Sequence, residues 1–172
     1  MVRVHSIHSS AFNRSIWIAF ILFMSIFSAS VAANTKDDDS QFDYEGFTRD
    51  YFSAWKATQA PNATKADLAY YLSFLTDDIG YQHLPYSDND VRAADGKTQM
   101  RKGMSYYLGT HTEYEAILTK SSYGHNVITL EYDTQTKGVH PDNGQIISNS
   151  YTSLEVLEID NGKVSVIRHY SD

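Results

Sequence analysis

The stretch "IDNGKVSVIRHYSD", residues 159–172, sets an Asn-Gly pair between two runs in which apolar and polar residues largely alternate. A two-residue type I′ turn requires positive φ angles at both central positions, and Asn and Gly tolerate these angles best. We therefore predict a β-hairpin whose turn is Asn161-Gly162. This is the strongest local signal in the chain.

An uninterrupted hairpin determines which side chains share a face of the sheet, because side chains alternate along each strand. Glu155 then lies opposite Arg168, with Tyr170 and Asp172 further along the same face, and His169 lies on the other face. Two interpretations remain open. In one, the face that carries Glu155 and Arg168 is exposed to water, where an ion pair contributes little stability. In the other, this face packs against the helices, where these residues form a polar site in an apolar pocket.

The rest of the chain predicts helices first and strands later. Aromatic residues at helical spacing predict a helix over 42–58. Thr64 and Asp67 resemble a capping box, which predicts a second helix ending near residue 75. The other predicted elements are a strand at 77–86, a helix at 96–109 and strands at 113–121, 125–136, 146–159 and 163–171. This order is typical of an α+β fold with a curved antiparallel sheet and helices on one face.

Residues 1–33 have the pattern of a secretory signal peptide: two arginines, an apolar run over 16–27 and small residues up to Ala33. An uncleaved membrane anchor is the alternative. A spanning helix needs roughly 20 apolar residues, which the run reaches only if the small residues are counted. We predict cleavage near Ala33, a disordered leader over 34–40 and a domain over 41–172. The location is then periplasmic or secreted, with no stable membrane insertion.

Charge and composition exclude several functional classes. Without residues 1–33, the chain has 12 Lys and Arg against 21 Asp and Glu, a net charge of −9. Such a surface repels nucleic acid, so we predict no nucleic-acid partner. The chain has no cysteine, which excludes disulfides and thiolate chemistry. The histidines lack metal-binding spacing, and no nucleophile-elbow serine or phosphate-binding glycine loop is present. We therefore predict neither a metal nor a cofactor.

Four segments, taken in order, resemble the SnoaL-like branch of the nuclear transport factor 2-like (NTF2-like) superfamily. They are "FxxxYFxxW" from residue 47, "LTDDIGY" from 75, "GKTQM" from 96 and the closing "IDNGKVSVIRHYSD". The resemblance spans about residues 41–172. It implies a cone, in which a strongly curved antiparallel sheet wraps on about three N-terminal helices around a hydrophobic pocket. Members include isomerases, dehydratases, cyclases and epoxide hydrolases beside non-catalytic ligand binders, so the fold does not settle the function.

The resemblance also implies which residues of the last strand line the pocket. Carried over to this sequence, they are Val166, Arg168, Tyr170 and Asp172. Glu155 with Arg168 would then be a carboxylate steered by a guanidinium, as in epoxide-hydrolase relatives. The alternative for this pair is a structural cross-strand contact.

Tyr81 and His83 share a face of the first strand, where the family often places pocket residues. A histidine with a pKa near neutrality can act as a general base, and a tyrosine can donate to a developing oxyanion. The alternative is a surface histidine before a proline turn. Tyr51, Trp55 and Tyr107 on the helices are candidate ligand contacts, since aromatic side chains offer apolar area and, in tyrosine, a hydroxyl.

Two functions remain open from the sequence. The first is an exported domain that holds a small, largely apolar ligand without catalysis. The second is a cofactor-independent acid-base enzyme of the isomerase, dehydratase, cyclase or epoxide-hydrolase type. Convergence of Arg168, Glu155, Tyr81 and His83 on one cavity favours the enzyme, and their dispersal to solvent favours the binding protein. We also expect a homodimer through the outer face of the sheet, as in relatives.

Overall fold

The computed structural model describes residues 42–172, which form three helices and a five-stranded sheet. The predicted signal peptide and leader lie outside the described residues. The helices are α1 (Tyr44–Gln59), α2 (Lys65–Ser73) and α3 (Gly96–Tyr107). The strands are β1 (Leu75–Leu84), β2 (His111–Gly124), β3 (Val127–Val139), β4 (Ile146–Asp160) and β5 (Lys163–Ser171). Within residues 42–172, no helix is long and apolar enough to cross a membrane.

The first two helices begin at residues whose side chains accept from free backbone N–H groups. Asp43 Oδ1 accepts from Gly46 N at 2.9 Å at the start of α1. At the start of α2, Thr64 N donates to Asp67 Oδ2 at 2.8 Å and Asp67 N donates to Thr64 Oγ1 at 3.3 Å. This reciprocal pair confirms the predicted capping box.

The sheet has the strand order β1-β5-β4-β3-β2. The four strands β2 to β5 pair antiparallel, as predicted, whereas β1 pairs in parallel with β5. Val164 N donates to Phe74 O at 2.9 Å where β5 meets the end of α2. The sheet is therefore mixed rather than wholly antiparallel. Local patterns cannot reveal this pairing, because the two strands are separated by most of the domain.

The Asn161-Gly162 turn forms as predicted. The φ angles are 50° at Asn161 and 74° at Gly162, both in the left-handed region that a type I′ turn requires. Asp160 pairs with Lys163 across the turn. The sequence therefore determines where the hairpin reverses.

A β-bulge next to the turn shifts the rest of the hairpin by one residue. Ile159 pairs with Val164, but the next pair is Glu158 with Val166, which leaves Ser165 as the extra residue. Ser165 is buried like Val164, and its Oγ donates to Glu158 O at 3.2 Å. A shift of one residue moves every later side chain of the strand to the other face.

The predicted pairing of Glu155 with Arg168 is therefore wrong. Glu155 pairs with His169, and Arg168 pairs with Val156. The two residues expected to face each other lie on opposite faces of the sheet. Arg168 instead donates from Nε to Asp90 at 2.6 Å.

The hydrophobic core lies between α1, α2 and the inner face of the sheet. Leu68 and Leu72 of α2 pack in one cluster with Ile128, Leu130 and Leu157 of the sheet, and all five are nearly or fully buried. Burial of such a side chain contributes about 1.5–3 kcal/mol. Since this apolar cluster occupies part of the inner face, the polar residues of that face are confined to the remaining part.

Candidate active site

A cavity of about 1100 Å³ adjoins the core on the inner face of the sheet. Its apolar wall includes Trp55 of α1, Ile79 of β1, and Met100 and Met104 of α3. The polar wall comes from β1, β4, β5 and residues 86–95, which connect β1 to α3. The volume is sufficient for a small organic molecule.

Three buried side chains of β3, β4 and β5 meet at the polar wall. Tyr132 donates from its hydroxyl to Glu155 Oε1 at 3.0 Å, and His169 Nδ1 lies 3.1 Å from the same oxygen. Glu155 is 5% exposed, His169 7% and Tyr132 0%. Ser153 Oγ lies 3.4 Å from His169 Nε2. Glu155 and His169 line the cavity, so an acid-histidine pair is held in its wall.

The contacts fit one arrangement of protons in this cluster. Burial, followed by the charge of Glu155, raises the pKa of Tyr132 far above its usual value, so its hydroxyl stays protonated and donates. If His169 Nδ1 carries the proton directed at the carboxylate, Nε2 has a lone pair that can accept from the Ser153 hydroxyl or from a ligand in the cavity. An imidazole oriented in this way by a carboxylate is a general base.

A second polar pair lies beside the first on β1. Tyr81 hydroxyl and His83 Nδ1 are 3.1 Å apart, and the rings of His83 and His169 meet edge to face with centroids 4.4 Å apart. Burial and then the neighbouring His169 lower the pKa of His83, while Glu155 opposes this shift. His83 is therefore uncharged at neutral pH. Tyr81 is 41% exposed, so this pair connects the buried cluster with the open part of the cavity.

Comparison with solved structures identifies the fold. A candidate SnoaL-like polyketide cyclase from Shewanella denitrificans OS-217 superposes with a TM-score of 0.58 at 10% identity, covering 74% of this chain and 88% of that one. A second candidate cyclase of this kind, from Shewanella putrefaciens CN-32, gives 0.57 at 13% identity, covering 84% and 90%. An epoxide hydrolase of the LEH-like type from M. tuberculosis gives 0.50 at 17% identity, covering 72% and 84%. The domain has the NTF2-like fold, which these structures share with other solved NTF2-like proteins.

This assignment confirms the α+β fold predicted from the sequence. No family model matches the sequence, and no curated protein matches it either. At 10–17% identity, the likeness to these structures establishes the fold alone. The chemistry of the NTF2-like domain must therefore be argued from its own residues.

Half of the predicted site residues line the cavity of the NTF2-like domain. They are Trp55, Tyr81, His83, Glu155 and Asp172. Asp172 Oδ1 accepts from Thr152 N at 2.9 Å, so its carboxylate also ties the end of β5 to β4. Three of the four residues expected to converge on one cavity thus do so: Tyr81, His83 and Glu155.

The other predicted site residues lie elsewhere. Tyr51 is buried in the core, where its hydroxyl lies 3.2 Å from that of Tyr71. Val166 is buried on the face opposite the cavity, and Tyr107 is exposed. Tyr170 is partly buried, with its hydroxyl 3.5 Å from Gln82 Oε1. Arg168, the fifth, lies on the outer face, because the bulge turned it away from Glu155.

Sequence reasoning missed His169, Tyr132 and Ser153 as site residues. The bulge explains the first, since strict alternation placed His169 on the outer face. One signal was available: the adjacent apolar residues Val166 and Ile167 break the alternation of the strand. Such a break marks a change of phase: Val164 and Ile167, three residues apart, both belong to the core because Ser165 is the extra residue between them.

The segment 86–95 forms one wall of the cavity and is anchored by alternate residues. Odd-numbered residues such as Asn89 and Val91 line the cavity, whereas Asp90 accepts from Arg168 on the outer face. The segment lies against β1 so closely that a Cβ atom at Gly80 would clash with the Asp90 carbonyl oxygen. Glycine at position 80 is therefore required by this close approach.

Proposed function

We propose that this NTF2-like domain is a cofactor-independent acid-base enzyme that transfers a proton on a small, largely apolar molecule. The observation that carries the proposal is the Glu155–His169 pair, with a 3.1 Å contact, in the wall of a cavity of about 1100 Å³. A structural ion pair would need no cavity beside it. A histidine oriented by a buried carboxylate and open to a cavity has the geometry of a general base.

His169 takes the proton in this scheme, and Glu155 acts through His169. The carboxylate holds the Nδ1 proton and stabilises the imidazolium that forms when Nε2 accepts a proton from the ligand. Tyr132 keeps the carboxylate in place by donating to the same oxygen at 3.0 Å. Since Glu155 is 5% exposed, bulk water does not screen its attraction to the imidazolium.

Tyr81 and His83 are placed to handle the charge that develops on the ligand. Partial burial, followed by the charge of Glu155, raises the pKa of Tyr81, so its hydroxyl remains protonated at neutral pH and can donate to a ligand. An oxygen that gains negative charge as His169 removes a proton can accept from this hydroxyl. Isomerisation, dehydration and ring-opening hydrolysis all require such a base with an opposing donor.

The second candidate is a domain that holds the ligand without catalysis. The wide aromatic and methionine-lined cavity favours it, because Trp55 and Met104 offer apolar contact without chemistry. The two candidates differ in one respect. Only the enzyme requires that loss of His169 abolishes turnover while leaving ligand binding intact.

The test uses 5-nitrobenzisoxazole, a small aromatic molecule that opens when a base removes its carbon-bound proton. We expect the full chain to accelerate this ring opening, and His169→Asn to lower the rate by about 10²-fold or more. His125→Asn is the matched control, because His125 is exposed and does not line the cavity. Quenching of Trp55 fluorescence, with Trp55→Phe as its control, reports binding separately. If both the wild type and His169→Asn bind the compound and open its ring at equal rates, the proposal of an enzyme is overturned and the ligand-holding function remains.

We further propose that the domain acts in the periplasm or outside the cell, after removal of residues 1–33. This proposal is supported by the charge, apolar run and small-residue exit of that segment.

A further inference from the structure

We infer that the ligand of this cavity carries a protonated amine, which donates to Glu155 Oε2. The inference rests on the proposed function in one respect: Glu155 would hold the ligand beside His169, where proton transfer takes place. It is carried by the unequal use of the two carboxylate oxygens of Glu155.

Oε1 of Glu155 receives every hydrogen bond that this side chain makes within residues 42–172. Tyr132 donates to it at 3.0 Å, and His169 Nδ1 lies 3.1 Å away. Oε2 has no hydrogen-bond partner among the described residues, although Glu155 is 5% exposed and lines the cavity. Oε2 is not among the fully enclosed polar atoms of the described residues, so a ligand in the cavity can reach it and donate a charge-assisted hydrogen bond in place of water.

The charges around the cavity favour a cation as the donor. Its lining contains the carboxylates of Glu155, Asp95 and Asp172, and no lysine or arginine from residues 42–172. Burial lowers the pKa values of His83 and His111, which also line it, so these two side chains are uncharged near pH 7. The resulting field attracts cations and repels carboxylates and phosphates.

Aromatic rings complete the environment of an ammonium group. Trp55, Tyr71, Tyr81, Tyr114 and Tyr151 all line the cavity. The faces of such rings attract cations, and the attraction is stronger when the cation is desolvated. An alcohol could also donate to Oε2, but it would gain neither the charge-assisted bond nor the attraction of the rings.

The experiment compares three ligands of nearly equal size: 2-naphthylmethylamine, 2-naphthylmethanol and 2-naphthoate. Calorimetric titration of the full chain at pH 7 should show the amine binding about tenfold or more tightly than the alcohol, and the carboxylate most weakly. Glu155→Gln should reduce amine affinity to the level of the alcohol. Glu113→Gln is the control, because Glu113 is exposed and pairs with Lys137 away from the cavity.

Equal or tighter binding of the alcohol or the carboxylate to the wild-type protein would overturn the inference, whether or not Glu155→Gln folds. Unchanged amine binding in a folded Glu155→Gln variant would overturn it as well. The proposed function fails by a different result, namely no effect of His169→Asn on proton transfer. If the protein prefers the amine but shows no turnover, the inference about the ligand is supported and the proposal of an enzyme is rejected.

Discussion

His169 Nδ1 lies 3.1 Å from Glu155 Oε1 because β5 contains one extra residue, Ser165, between the turn and the site. Without that bulge, Arg168 would face Glu155 and the inner wall would carry an ordinary cross-strand ion pair. With it, a titratable imidazole faces the carboxylate, and the arginine moves to the outer face. One inserted residue thus decides whether an arginine or a histidine faces Glu155 in the wall of the cavity.

Tyr132 should stabilise the fold through its bond to a charged acceptor. We expect Tyr132→Phe to lower the free energy of unfolding by roughly 1.5–3 kcal/mol, because the buried Glu155 carboxylate loses the donor at 3.0 Å. Urea denaturation measures this change. Tyr51→Phe is the control, since Tyr51 makes a buried bond to the neutral hydroxyl of Tyr71 and should cost about 1 kcal/mol. Equal losses for the two variants would show that the charge of Glu155 adds nothing.

Arg168 should hold the cavity wall rather than contact the ligand. It donates to Asp90 at 2.6 Å and to Glu158 at 2.7 Å, which ties segment 86–95 to the sheet. We expect Arg168→Gln to cost about 1 kcal/mol of stability and to speed amide hydrogen exchange in that segment.

The matched change for Arg168 is Lys137→Gln, which removes an exposed pair with Glu113 and should cost under about 0.5 kcal/mol. Faster exchange spread over the whole sheet, instead of confined to residues 86–95, would contradict the anchoring role of Arg168.

The domain should lose stability as the pH falls below about 6.5, the ordinary histidine value. Burial lowers the pKa values of His83 and His111 in the folded state, so the unfolded chain binds protons first as the pH falls. The unfolded state is then favoured, and stability rises with pH through this window until both states are neutral. Denaturation midpoints between pH 5 and 8 measure the effect. His83→Asn should flatten the dependence of stability on pH, whereas His125→Asn, at an exposed position, should leave it unchanged. The reverse result would show that His83 does not cause the pH dependence.

The chain isolated from outside the cytoplasm should begin near Asn34. Cleavage after Ala33 removes the apolar run over 16–27, and intact-mass measurement of the exported fraction gives the new terminus directly. A full-length mass recovered with membranes would instead support the uncleaved anchor.

A homodimer is expected to form through the outer face of the sheet. Ile117 and Leu154 lie on that face and are 56% and 37% exposed. Light scattering should give the mass of a dimer, and the double variant Ile117→Lys with Leu154→Lys should give that of a monomer. Tyr70→Lys, on an exposed part of α2, is the control and should leave the dimer intact. A monomeric wild type would exclude this interface.

The sequence by itself determined the features that depend on near neighbours. The turn at Asn161-Gly162 follows from the φ angles that these residues tolerate, and the start of α2 follows from Thr64 and Asp67. The order of helices and strands follows from hydrophobic periodicity. Tyr81 and His83 were found for the same reason, because they share a face of a single strand.

Only the tertiary structure decided which residues of β4 and β5 meet at the cavity. The face that a side chain occupies has a period of two residues, so a single bulge reverses every assignment beyond it. Val164 and Ile167 are both buried in the core although they are three residues apart, which requires the bulge, and packing of this kind involves residues far apart in the chain. His169 therefore lies beside Glu155 because of tertiary packing, although the turn that precedes β5 was predicted from the sequence.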